Sequence, residues 1–345
     1  MNDAGQLQLG LSTFGDITRR PDGTDFTHAE IIRQVVDQAA LADQVGVSAF
    51  TLGEHHRPDF AVSSPDMVLA AIASRTSQIS LGTSVTVLSS DDPVRVYESF
   101  ATLDAISGGR AEITLGRGSF TESFPLFGYD LRDYEVLFEE KLDLFSKLLA
   151  EKPVRWSGTT RPPLVDVDVF PKTPRPIPAW VGVGGTPASV VRTAKHGLNL
   201  MLAIIGGSPS RFHPLVAEYH RQLVLNGHSA GSVGAYSSGH IADTDEQALE
   251  EAYQGFAKSA RRIGGERGWR EFTREQFLHA IGPDGSTYVG SPQTVARKIA
   301  ATVRTLRLSR FDLNYATGPS SPDQLLHSIE LFGTKVIPLV RELVA

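Results

Sequence analysis

Apolar side chains recur at Ile31, Ile32, Val35, Val36, Ala39, Ala42 and Val45, and Gly46 follows at once. That spacing lays one apolar stripe on a helix, and the glycine is a natural stop. The same pattern predicts helices over 64–76, 92–107, 131–151, 187–196, 209–226, 245–262, 292–306 and 322–343. Between them lie short β-branched or apolar runs at 6–14, 48–56, 79–88, 110–118, 178–184, 198–205, 234–242 and 310–317. Strands alternating with longer amphipathic stretches indicate parallel strands joined by crossover helices, and eight strands predict closure into a (β/α)8 TIM barrel. The helix pattern is one longer than the strands require.

Two stretches break the rhythm and are expected to be rim insertions on a single domain spanning 1–345. Residues 153–178 carry Pro153, Pro162, Pro163, Pro171, Pro174, Pro176 and Pro178, which exclude a helix and suit a central strand poorly. Residues 264–290 hold Gly264, Gly265, Gly268, Gly282, Gly285 and Gly290 after the seventh strand, and read as a long loop that closes as a lid.

Bulk properties narrow the function. A net charge of −6 with interspersed signs carries no electrostatic footprint for a nucleic acid. The absence of cysteine removes disulfides, thiol nucleophiles and cysteine-ligated metals. MNDAGQLQLG has neither a basic n-region nor an apolar h-region, and no apolar run approaches membrane-spanning length, so the expectation is a cytoplasmic chain without membrane contact.

In such barrels chemistry collects at the C-terminal strand ends. The second strand ends in Glu54, His55 and His56. Alternation places His55 with Gly53 on one face and Glu54 with Phe50 on the other, so one imidazole points to the mouth, where it serves proton transfer, and the carboxylate orients its neighbours. Adjacent histidines point opposite ways and do not share a metal, which disfavours a metal hydrolase; the plain alternative is a structural rim histidine. The fifth strand runs into Gly182-Val183-Gly184-Gly185-Thr186-Pro187-Ala188-Ser189 and a helix. Glycines admit a phosphate to the backbone, and free N–H groups with the Thr186 and Ser189 hydroxyls face it; an ordinary capped turn is the plain alternative. On the fourth strand Arg117 stands between Gly116 and Gly118, placed to serve a phosphate in the neighbouring turn or to pair with Glu112 or Glu122. His240 reads as a packed or rim histidine, while Phe14, Ile204 and Asn314 are mouth residues by strand-end position alone.

Taken in order, the Glu-His-His at 54–56, the Gly82-Thr83 block with Asp92-Pro93-Val94-Arg95, LDAISGGRAEITLGRG at 103–118, the Gly-Gly-Thr-Pro-Ala-Ser turn at 184–189 and Gly-Ser-Pro at 290–292 resemble the luciferase-like monooxygenase family over nearly the whole chain. The resemblance implies an FMN-binding barrel, with the flavin across the C-terminal mouth and its phosphate at the fifth turn. It further implies a non-proline cis peptide at Ser84–Val85 that shapes the flavin's bed, a catalytic role for His55, and phosphate contacts from Arg117, Gly118, Gly184, Gly185, Thr186 and Ser189. Some members add a basic side chain near the start of the fourth helix; here the sequence is Arg132-Asp133-Tyr134-Glu135, with Tyr134 as a substitute hydroxyl donor.

The function so implied is oxygenation of a small organic substrate by reduced FMN and O2, the flavin supplied by a separate reductase because no second nucleotide domain is visible. A homodimer is expected from the same resemblance. The alternatives are a deazaflavin (F420)-dependent hydride-transfer enzyme on the same barrel and a non-catalytic flavin-binding partner subunit; retention of His55, Arg117 and the phosphate turn argues against the latter.

Overall fold

The computed structural model describes residues 7–20, 22–118, 120–268, 272–317 and 320–345. Twelve strands are labelled in chain order: β1 (Gln8–Thr13), β2 (Ala49–Leu52), β3 (Ser80–Thr83), β4 (Thr86–Val87), β5 (Ile113–Gly116), β6 (Val154–Trp156), β7 (Leu164–Val167), β8 (Ala179–Val183), β9 (Asn199–Ala203), β10 (Val233–Ile241), β11 (Tyr288–Gly290) and β12 (Arg310–Asn314). The main sheet is parallel, in the order β3-β2-β1-β12-β10-β9-β8-β5-β4. Because β3 and β4 are two halves of the expected third strand, the path returns to its start, and a parallel bridge between Leu81 and Ala111 helps close it. All eight expected barrel strands are thus in place. Beyond these, among the described residues, β11 lengthens the sheet beside the end of β10, and β6 and β7 form a separate ribbon.

The helices are α1 (His28–Gln44), α2 (Pro65–Ala73), α3 (Pro93–Ser107), α4 (Ser123–Leu126), α5 (Tyr134–Leu148), α6 (Pro187–Lys195), α7 (His213–Leu225), α8 (Asp245–Arg267), α9 (Arg274–Ile281), α10 (Pro292–Leu306), α11 (Pro322–Leu331) and α12 (Ile337–Val344). Their starts follow the local chemistry. Thr27 and Ser321 close capping boxes with Glu30 and Gln324, and the Asp92 carboxylate accepts the Val94 and Arg95 amides. The stripe read from Ile31 to Ala42 is buried against the barrel.

Of the two insertions, only the second differs from expectation. Residues 153–178 contain an antiparallel ribbon, β6 with β7, laid along α5: Trp156 Nε1 donates to Asp143 at 3.0 Å, and the Thr159 and Thr160 amides donate to Glu140. The prolines leave room for a two-stranded ribbon outside the main sheet. Residues 264–290 are not a loop. α8 runs on through Gly264 and Gly265 to Arg267, ends on a left-handed Gly268, and α9 and β11 follow, with 269–271 outside the described residues. Each helical glycine costs about 1 kcal/mol relative to alanine, which α8 tolerates in its last turn.

A buried ion cluster occupies the lower barrel interior. The Arg310 guanidinium donates to Asp312 at 2.9 Å and to Glu112 at 2.5 Å. Glycines make the room: a Cβ on Gly10 would lie 2.2 Å from Asp312 Oδ1, and one on Gly82 would lie 2.7 Å from Glu112 Cγ.

Candidate active site

The third strand breaks at its C-terminal end, where Ser84–Val85 is a cis peptide. Val85 turns its side chain into the barrel. A Cβ on Gly116 would stand 2.5 Å from Val85 Cγ2, and one on Gly182 would stand 2.9 Å from Val85 Cγ1, so both glycines are required by this one side chain. Ser84 Oγ shares a hydrogen bond with Ser12 Oγ at 2.6 Å. Glu54 grips the bend from both sides: its amide donates to the Val85 carbonyl at 3.3 Å, and its Oε2 accepts the Val87 amide at 2.8 Å.

β2 ends at Leu52, yet the alternation persists beyond it. Gly53 and His55 both face Phe14; a Cβ on Gly53 would collide with that ring at 2.1 Å, and the His55 ring meets it edge-on at 4.6 Å. Phe60 at 4.6 Å and Phe120 at 5.1 Å complete an aromatic cage around the imidazole. Burial first, then the nearby Arg57 guanidinium and the neighbouring His56, lowers the His55 pKa to about 3. His55 is therefore neutral at physiological pH, able to accept a proton or to hydrogen bond, but not a standing cation. His56 points the other way and pairs with Glu54 at 2.9 Å. The carboxylate thus orients His56 and the 85–87 backbone rather than His55.

At the fifth turn Gly184, Gly185 and Thr186 are exposed, and Thr186 opens α6 without turning its hydroxyl onto the helix. Gly185 has φ +117°, a conformation suited to glycine, and nothing lies within 4 Å of where a Cβ of Gly184 would be. The Arg117 guanidinium donates to Ser189 Oγ at 3.4 Å, lies over the Tyr134 ring at 5.1 Å and pairs with Glu135. Arg192, one turn beyond Ser189, pairs with the same carboxylate at 3.0 Å, and its buried Nη1 has no hydrogen-bond partner among the described residues. An open glycine turn, two guanidiniums and an unused N–H form a donor set that fits a phosphate. The Tyr134 hydroxyl donates instead to the Gly118 carbonyl at 3.4 Å, beside the same turn.

The expected residues thus fall into two groups, His55 with Ser84 and Val85 at the mouth, and Arg117, Gly118, Tyr134, Gly184, Gly185, Thr186 and Ser189 at the turn. Phe14 does reach the mouth. Ile204 is core, Asn314 is bonded to the Tyr236 hydroxyl at 2.8 Å, and His240 is packed, 2.7 Å from Glu251. Phe60, Phe120 and Arg192 escaped the sequence reading; Arg192 alone had a signal, since it stands three residues after Ser189 on one helix face. α8 also reaches the mouth, where Arg262 pairs with Asp59 at 2.5 Å and covers the Phe60 ring at 5.7 Å.

The family model for luciferase-like monooxygenases matches residues 12–328. The chain belongs to the luciferase-like monooxygenase family. Within that family, the alkanal monooxygenase alpha chain of the Kryptophanaron alfredi symbiont is 22% identical over 94% of this chain and 97% of its own. Among solved structures, monooxygenase RslO1 from Streptomyces bottropensis superposes with a TM-score of 0.83 at 22% identity, covering 96% of this chain and 99% of that one. The oxygenating constituent of 3,6-diketocamphane monooxygenase from Pseudomonas putida, solved with FMN, has a TM-score of 0.76 at 18% identity, over 96% and 98% of the two chains. The coenzyme F420-dependent tetrahydromethanopterin reductase of Methanopyrus kandleri has a TM-score of 0.72 at 20% identity, over 96% and 99%. These likenesses support the luciferase-like barrel. Among the described residues, no helix is long and apolar enough to cross a membrane, and no group of three or more histidine and acidic residues could hold a metal ion.

Proposed function

We propose that this chain is an FMN-dependent monooxygenase acting on a small organic substrate, its flavin reduced elsewhere. The carrying observation is the Arg117 guanidinium, held between Ser189 and Glu135 at the exposed glycine turn. Reduced FMN bound there supplies the electrons and the site of O2 activation. Arg117, Arg192 and the α6 turn hold its phosphate; Val85 supports the ring system from within the barrel. His55, kept neutral by its cage, accepts or relays a proton at the mouth, while Phe14, Phe60 and Phe120 with the end of α8 exclude water.

A deazaflavin-dependent hydride transfer is the second reading, favoured by the likeness to an F420-dependent reductase. Titration with FMN, riboflavin and F420, followed by fluorescence, separates them. FMN is expected to bind well above riboflavin, and Arg117→Ala to narrow the difference. Preference for F420 would establish the second reading, and saturable binding of none of the three would sink both.

A further inference from the structure

Glu135 sits in the first turn of α5 with each carboxylate oxygen engaged by a different guanidinium, Oε1 by Arg117 and Oε2 by Arg192 at 3.0 Å. It therefore lies between the two cations that a phosphate at the α6 turn would need. Its freedom differs from theirs. The Glu135 side chain is 64% exposed, against 25% for Arg117 and 12% for Arg192. If Glu135 swings into solvent, Arg192 stays tied to Glu139, and Arg117 keeps the Tyr134 ring and Ser189 Oγ. The cations remain in place; only the carboxylate has somewhere to go.

We propose that Glu135 is a built-in counter-anion of this seat, a carboxylate that neutralises Arg117 and Arg192 while the turn is free and is displaced by a phosphomonoester. The inference rests on reading the turn as a phosphate seat. Glu135 and Glu139 face the Arg117 and Arg192 guanidiniums, and Glu139 also stands 3.8 Å from the exposed Lys195 ammonium. A phosphomonoester brings close to two further negative charges, which repel Glu135 at hydrogen-bond range. Displacement lowers affinity for the phosphorylated cofactor without touching contacts to its ring, and so favours exchange of the flavin over permanent retention.

The test compares wild type with Glu135→Gln, which keeps length and hydrogen bonding but removes the charge. Calorimetric titration with FMN and with riboflavin is the readout, together with competition by inorganic phosphate. Loss of an exposed ion-pair competitor predicts FMN binding tighter by about five-fold, equivalent to about 1 kcal/mol, with riboflavin unchanged and phosphate a better competitor. If E135Q binds FMN equally or more weakly while wild type still prefers FMN to riboflavin, Glu135 supports the seat rather than competing for it, and the proposal fails. If E135Q changes both ligands alike, its role is structural and the proposal fails as well. If wild type treats FMN and riboflavin alike, the phosphate-seat reading falls and takes this inference with it.

Discussion

The Val87 amide donates to Glu54 Oε2 at 2.8 Å, just beyond the cis Ser84–Val85 bond, so a carboxylate from the second strand's end holds the broken third strand in shape. Glu54→Ala leaves that half-buried amide without its partner, an expected loss of about 1–3 kcal/mol. Glu54→Gln retains an acceptor and should lose less than about 1 kcal/mol by the same reasoning. Urea unfolding of the two variants checks the order; equal stability would mean that the amide contact contributes nothing.

His55 carries two linked expectations. Replacement by alanine should leave FMN binding near the wild-type level while abolishing turnover, because the proposed phosphate seat lies elsewhere; unchanged turnover would remove its proposed role. Its pKa is lowered to about 3 by burial, so the native state binds fewer protons than the unfolded chain between there and the ordinary value of 6.5. Stability must fall as pH drops through that window, by up to about 1.4 kcal/mol per pH unit from this group. His55→Asn should flatten that part of the stability–pH curve, and the wild-type rate should show no titration step of His55 between about pH 5 and 8.

Arg310 joins Asp312 and Glu112 in the barrel interior, and burial raises the Asp312 pKa against the pull of the guanidinium. Arg310→Met strands two carboxylates and should cost about 3–5 kcal/mol in chemical denaturation. Adding Glu112→Gln and Asp312→Asn to that variant should restore part of the loss. If the triple variant is no more stable than the single one, desolvated charge is not the cause.

Lys298 on α10 is buried and donates to the carbonyls of Ile281, Gly282 and Thr287 at 3.0, 2.6 and 2.8 Å, pinning the end of α9. Hydrogen bonds to a charged donor predict roughly 2 kcal/mol of destabilisation for Lys298→Met. The change should register locally, as faster amide exchange over 274–290 with the β12 core unaffected.

The barrel was legible because every strand and crossover helix carried its own period, and the Glu-His-His alternation survived past the strand that set it. Features made by tertiary contact were not. The aromatic cage joins Phe14, Phe60 and Phe120 from three separate loops, and no spacing along the chain links them. The pattern predicts a helix ending at 262, because Gly264 and Gly265 weaken a helical reading that α8 in fact tolerates. The pairing of Arg117 with Glu135 spans 18 residues and depends on how α5 docks beside the fourth strand end. From the sequence Glu112 and Glu122 are the expected partners of Arg117, and Glu112 is committed instead to Arg310.

Val85 draws its space from Gly116 and Gly182, which belong to two other strands. The three positions therefore form one steric unit. Among relatives of this barrel, a larger residue at either glycine should occur together with a smaller one at 85, and an engineer widening the mouth should begin by trimming that valine, leaving both glycines alone.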